Sequence, residues 1–226
     1  LLYFTALDYG EDVWYNNNEM EIYYEDKDTT LYLGDCKDIM KQLPNDFVDL
    51  VLTDPPYTKD TYYYAYKTLA DESPRLMKFG ASLITLVGQY LIPEVTALFW
   101  NKLRMNWVVW MNQPTTHARM KGFGIEVTGM PNLWYVKGKG IAKVMMTDSF
   151  TPTGTEGIYK PLHPWQKDVS WADYFINHLT LPGSIVLDPF CGSGTTLVSA
   201  KKNGRIGVGV EIDEKNCEQI VRRLRR

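Results

Sequence analysis

Short apolar runs alternate along this chain with stretches of helical periodicity, and few architectures accommodate that rhythm. Residues 31–33, 47–53, 82–87, 106–111, 132–136, 185–187 and 206–210 read as buried strands. Between them, residues 36–43 (ended by Pro44), 75–79, 93–103, 165–179, 195–202 and 213–224 read as helices. Strands that alternate with helices predict an α/β fold: a mostly parallel sheet with helices on both faces. At 226 residues the chain fits one such domain. We place it over residues 30–226, after an acidic N-terminal segment, 1–29, of weak periodicity. Residues 138–162, rich in Gly, Thr and Pro, read as a short insert. In open sheets of this class ligands bind at the carboxyl ends of the strands, so the chemistry-bearing residues are expected just after strands.

Charge is distributed unevenly. The net charge of -3 hides a first 30 residues with eight acids against Lys27, and a stretch from 101 to 147 with seven basic residues against Glu126 alone. That basic stretch is the expected meeting point for a phosphate backbone, with Arg119, Lys121, Lys137, Lys139 and Lys143 as candidate contacts. Trp107, Trp110 and Trp134 fall in predicted strands and are assigned to the core. Cys36, Cys191 and Cys217 are widely spaced and form no CxxC pair, which predicts reduced thiols and no metal site. The longest apolar run, 81–87, is too short to span a membrane, and no charged leader precedes an apolar core, so a cytoplasmic location is expected.

Two strand exits carry the sharpest signals. Asp54-Pro55-Pro56-Tyr57 follows the run 48–53. Two successive prolines fix φ and remove two backbone donors, so the chain leaves the strand as a stiff loop with outward carbonyls. Asp54 and the Pro55 carbonyl then stand as acceptors beside the Tyr57 ring. That set suits an aromatic amine: two acceptors take its N–H hydrogens while the ring stacks on the base. The second exit, Asp188-Pro189-Phe190-Cys191-Gly192-Ser193-Gly194-Thr195-Thr196, is a glycine turn into a helix N-terminus; it has no P-loop lysine, which argues against phosphoryl transfer. Glu211 ends a strand about 20 residues after that turn, where an acid is placed to accept from ribose hydroxyls. Asp35, after the strand 31–33, is placed to accept from an adenine amino group or to cap a helix.

Together these segments resemble the DNA amino-methyltransferases in their permuted β-type order, in which the catalytic motif precedes the cofactor loop. Asp54 to Tyr57 is similar to the DPPY motif, Asp188 to Thr196 to the FxGxG loop, Leu33-Gly34-Asp35 to the family's acidic cofactor site, and His163-Pro164-Trp165-Gln166-Lys167 to its HPxQK segment. The chain departs from the family's pattern at Trp165, usually a small hydroxyl residue, and at Asp168, usually Pro. The resemblance covers roughly residues 30 to 224. It implies a seven-stranded, Rossmann-like domain that binds S-adenosylmethionine, with Asp35, Asp54, His163, Lys167, Asp188, Phe190, Gly192, Ser193, Gly194, Thr195, Glu211 and Ile212 as cofactor-binding residues. It further implies site-specific methylation of an adenine N6 in DNA, on a flipped-out base, with Asp54, Pro55, Pro56 and Tyr57 at the catalytic centre. N4 of cytosine is the alternative target, and a relative that binds nucleic acid without catalysis is the alternative of another class. Asp54, where a cytosine enzyme favours Ser, tilts the reading towards adenine. The recognition insert, between the strand at 132–136 and His163, is short. DNA is the expected partner, with a short or relaxed site, a homodimer or a separate specificity partner left open.

Overall fold

The computed structural model describes residues 20–56, 58, 61–113, 118–120 (backbone only), 124–140, 142–153 and 167–226. Tyr57, Lys121 and His163, and the side chain of Arg119, lie outside them.

The described strands form a nine-stranded sheet and a separate two-stranded hairpin. In chain order the elements are β1 (Ile22–Glu25), β2 (Thr29–Leu33), α1 (Cys36–Gln42), β3 (Val48–Thr53), α2 (Tyr62–Leu76), β4 (Met77–Leu86), α3 (Ile92–Phe99), β5 (Arg104–Asn112), β6 (Ala118–Met120), β7 (Ile125–Val127), β8 (Gly129–Val136), β9 (Ser149–Phe150), α4 (Val169–Leu179), β10 (Ile185–Asp188), α5 (Thr195–Lys202), β11 (Ile206–Glu211) and α6 (Glu214–Leu224). The large sheet runs β1-β2-β11-β10-β3-β4-β8-β5-β9. Its five central strands, β2, β11, β10, β3 and β4, are mutually parallel, and β8 inserts antiparallel between β4 and β5. Seven strands from β2 to β5 form the body expected from the sequence, and short β1 and β9 extend its two edges.

Alternation along the central strands supplies both cores. In β3, Val51 packs with α1, α2 and α3, whereas Leu50 and Leu52 face the side covered by α4. A third cluster joins Leu31 to Leu197 of α5 and Ile220 of α6. Helices therefore cover both faces, as a sheet buried on both sides requires.

Several features differ from the sequence reading or add to it. The helix expected at 75–79 is the end of α2 followed by a strand: α2 begins at Tyr62, its periodicity blurred by buried Thr68 and Ser73 and by Pro74, while Met77 begins β4. Residues Ile22–Glu25, inside the acidic segment, pair antiparallel with β2 as an edge strand. Trp134 is buried, but Trp107 is 57% exposed and Trp110 37% exposed, because β5 lies next to the sheet edge and β9 pairs only with Trp110 and Met111. Asp168, where the resemblance would place Pro, accepts from Ser170 N at 2.8 Å and caps α4. Among the described residues no helix is long and apolar enough to cross a membrane.

Candidate active site

The chain runs from β3 outward to β4 on one side and from β10 outward to β11 on the other, so β3 and β10 flank the switch point of the sheet. Loops leaving their carboxyl ends must diverge there and open a crevice. A cavity of about 630 Å³ occupies that place. Its wall includes Asp35, Asp54, Pro55, Pro56, Lys167, Asp188, Phe190, Gly192, Ser193, Thr195, Glu211 and Ile212, so the structure brings together the residues of both strand exits. Gly194 stands behind the wall as the N-cap of α5; its φ of +76° and the approach of Ile220 to within 2.9 Å of an added Cβ leave room for glycine alone.

Each acid is held by its surroundings. Glu211 is 8% exposed; Oε2 accepts from Gly192 N at 2.7 Å and Oε1 from Asp213 N at 3.0 Å, which fixes the glycine turn against the end of β11. Asp188 is 3% exposed; its Oδ1 accepts from Thr53 Oγ1 at 2.7 Å and Phe190 N at 3.1 Å. Burial pushes its carboxyl up to about 6; hydrogen bonds from Thr53, Thr196 and Phe190 oppose that, and the nearby Asp54 charge reinforces it. Asp35 caps α1 through Lys37 N at 2.9 Å and also accepts from Tyr64 at 2.6 Å. Both sequence readings of Asp35, cap and site acid, thus fall on one side chain.

Asp54 differs from the rest. Its Oδ2 pairs with Lys167 Nζ at 2.7 Å, the two side chains being 19% and 15% exposed. Its Oδ1 is buried with no hydrogen-bond partner among the described residues. An ionised oxygen held out of water without a donor is costly unless a ligand supplies one. The Lys167–Asp54 pair was not legible in the sequence, where Lys167 was assigned to the cofactor alone. Tyr64, Thr58, Thr61 and Trp171 also line the cavity without having been signalled. Trp171 Nε1 donates to Asn132 Oδ1, and that asparagine is buried in β8.

The expected nucleic-acid contacts are not gathered at the cavity. Because β8 runs against β4, its exit delivers Lys137 and Lys139 to the opposite end of the sheet. There Lys137 Nζ binds Asp46 at 2.6 Å and the Met77 carbonyl at 2.7 Å. Lys143 N donates to the carbonyl of His178 near the carboxyl end of α4, again away from the cavity. Arg119 falls in the β6–β7 hairpin, which departs from the end of β5 that shares the cavity's side.

Among the described residues no cluster of three or more His, Cys, Asp or Glu is placed to hold a metal ion. The three cysteines are free and buried. Burial pushes the Cys191 thiol well above its ordinary range, and Sγ donates to the Asp188 carbonyl while the side chain packs with Leu31 and Leu197.

The model of the family described as "DNA methylase", of the N6/N4 type, matches residues 48–222. This chain belongs to the DNA amino-methyltransferase family. It is 28% identical over 80% of its length to a protein named putative methylase YubD of Escherichia coli strain K12, covering 84% of that protein. It is 27% identical to the Type II methyltransferase M.ScaI of Streptomyces caespitosus, over 89% of this chain and 83% of that one. Among solved structures, the M1.HpyAVI complex with its cofactor superposes with a TM-score of 0.72 at 23% identity, over 88% of this chain and all of that one. The PvuII cytosine-N4-specific enzyme superposes with a TM-score of 0.72 at 16% identity, over 91% and 96%. These two likenesses establish the fold. Members of the family take S-adenosylmethionine as methyl donor, and the chain is a DNA methyltransferase of the N6/N4 class that uses this cofactor. The cavity fits such a group: it is lined by four carboxylates, which favour a cationic ligand, and by the apolar side chains of Phe190 and Ile212.

Proposed function

We propose that this enzyme methylates N6 of an adenine extruded from duplex DNA, with Asp54, Pro55, Pro56 and Tyr57 at the reacting amine. The observation that carries the reading is the unpartnered, buried Oδ1 of Asp54 beside an ion pair on its other oxygen. Lys167 holds one oxygen, and the other is left to accept an N–H of the target; the Pro55 carbonyl accepts the second. An arylamine is a poor nucleophile because its lone pair is delocalised into the ring. Two acceptors draw the nitrogen towards tetrahedral geometry, and the carboxylate stabilises positive charge that develops on it. Tyr57 stacks on the extruded base, contributing roughly 1 to 3 kcal/mol against an unstacking cost of a few kcal/mol.

When bound, S-adenosylmethionine supplies an electrophilic methyl group. Asp35 and Ile212 would hold its adenine, Glu211 its ribose hydroxyls, and the turn from Phe190 through Gly192, Ser193, Gly194 and Thr195 its centre, with His163, Lys167 and Asp188 at the methionine end. For DNA contact we favour the 113–128 excursion carrying Arg119 and Lys121, since Lys137, Lys139 and Lys143 sit at the other end of the sheet. Asp at the first motif position favours adenine over cytosine. Incubation with labelled cofactor and mixed-sequence DNA, then nucleoside analysis, tests the reading: N6-methyladenine is expected. N4-methylcytosine in its place would overturn the base assignment, and no labelled nucleoside would overturn the activity.

A further inference from the structure

Tyr64 has no role in the reading above, yet it joins the two halves of the site. It lies in the first turn of α2, the helix entered directly from the loop that begins with Asp54. Its hydroxyl donates to Asp35 Oδ1 at 2.6 Å, the same oxygen that accepts from Lys37 N, and both residues line the cavity. Both donors fall on Oδ1, and Oδ2 has no hydrogen-bond partner among the described residues. The Lys37 ammonium stands 5.9 Å from the centre of the Tyr64 ring and steadies it further. Partial burial and the Asp35 hydrogen bond both raise the phenol pKa above its ordinary range, so the hydroxyl stays protonated.

We propose that Tyr64 is the positioning residue of the adenosyl end: by occupying one oxygen of Asp35 it orients the carboxylate so that the other meets the exocyclic amine of the cofactor. The inference rests on the reading of Asp35 as a cofactor acid. Its second consequence is that the helix leading from the catalytic loop is tied to the cofactor side of the cavity, so an ordered adenosyl subsite and an ordered start of α2 are one condition.

The test is a double-mutant cycle read by calorimetric titration with S-adenosylhomocysteine and, separately, with adenosine. Tyr64→Phe keeps the ring and removes the donor; it should weaken both ligands by the same factor, roughly fivefold. Asp35→Ala should weaken them more, and adding Tyr64→Phe to it should cost nothing further. In turnover the loss should fall on KM for the cofactor, with kcat little changed. Unaltered affinity in Tyr64→Phe overturns the proposal. So does an equal loss with and without Asp35, which would mean that the tyrosine acts through the fold, and so does a loss confined to kcat. Asp35→Asn provides a second, milder entry to the cycle in which the same coupling should shrink. If the unaltered protein methylates DNA but Asp35→Ala binds normally, the reading of Asp35 fails and Tyr64 with it; if the unaltered protein binds neither ligand, the cofactor reading itself fails.

Discussion

The chain leaves two neighbouring strands through the same dipeptide, Asp54-Pro55 just after β3 and Asp188-Pro189 at the end of β10, and the two aspartates meet different fates. The strands are hydrogen-bonded in parallel register, Leu50 beside Val186 and Val51 beside Leu187, so both acids emerge at one end of the sheet into one cavity. Asp188 is 3% exposed and accepts from donors of the fold, Thr53 Oγ1 and Phe190 N. Asp54 receives a lysine on one oxygen and nothing described on the other. On the proposed reading, the same dipeptide leaves one carboxylate occupied by donors of the fold and offers the other to the reacting amine. What separates them is which lone pairs the protein leaves for a ligand.

The comparison breaks most readily at Asp54. Asp54→Ala should lower methylation on the order of 100- to 1000-fold, the scale seen when one charge-stabilising group is removed from a preorganised site. Cofactor affinity, measured by titration, should change far less. Affinity lost in proportion to rate would mean that Asp54 belongs to the cofactor and not to the reacting amine.

Asp188 should report in stability. Its folded pKa, about 6, lies above the ordinary 3.8. Between these values the folded state holds more protons than the unfolded one, so stability declines as pH climbs from about 4 to about 6 and is level above. The decline amounts to about 3 kcal/mol. Asp188→Asn removes the titration: relative to the variant, the unaltered protein should lose stability across that window in urea unfolding. A difference that stays flat with pH would show that burial does not penalise this carboxylate.

Part of this contrast could be read in advance. Strand exits, the glycine turn and the acids at 35, 54, 188 and 211 are local patterns, each set by a few adjacent residues, and the structure collects them at one cavity. Partnerships across the fold were not legible. Lys167 and Asp54 are far apart in sequence, and so are Tyr64 and Asp35; only the packing of α2 and the approach to α4 unite them. The placement of the lysines at 137, 139 and 143 was hidden for a related reason: a basic stretch states its charge but not which end of an antiparallel strand delivers it. The exposed Trp107 failed similarly, since composition cannot tell a central strand from one near the edge.

Lys167 sharpens the contrast from the other side. If it serves mainly to hold Asp54, Lys167→Met should lower kcat tenfold to a hundredfold, the range for a lost hydrogen bond to a charged group. The rate loss should exceed any loss of cofactor affinity. The reverse pattern, weak binding with normal kcat at saturation, would return the lysine to the methionine end alone and leave Asp54 without its anchor.

The smallest effect is expected at Thr53, which precedes one aspartate in sequence and serves the other in space. Its side chain is wholly buried, and Oγ1 donates to Asp188 Oδ1 at 2.7 Å. Valine would keep the shape and remove the donor, at a cost of about 1 to 2 kcal/mol. Loss of a hydrogen bond that favours the ionised form also moves the Asp188 carboxyl above its present position near 6, so the penalty should be larger at pH 8 than at pH 5. Since Thr53 donates to Asp188 and not to Asp54, Thr53→Val should lower stability more than it lowers kcat under saturating cofactor. Unfolding and turnover measured on the same preparation decide the matter. A fall in kcat as deep as that of Lys167→Met, with stability intact, would mean that the two exits act as one unit and that their division into structure and chemistry is wrong.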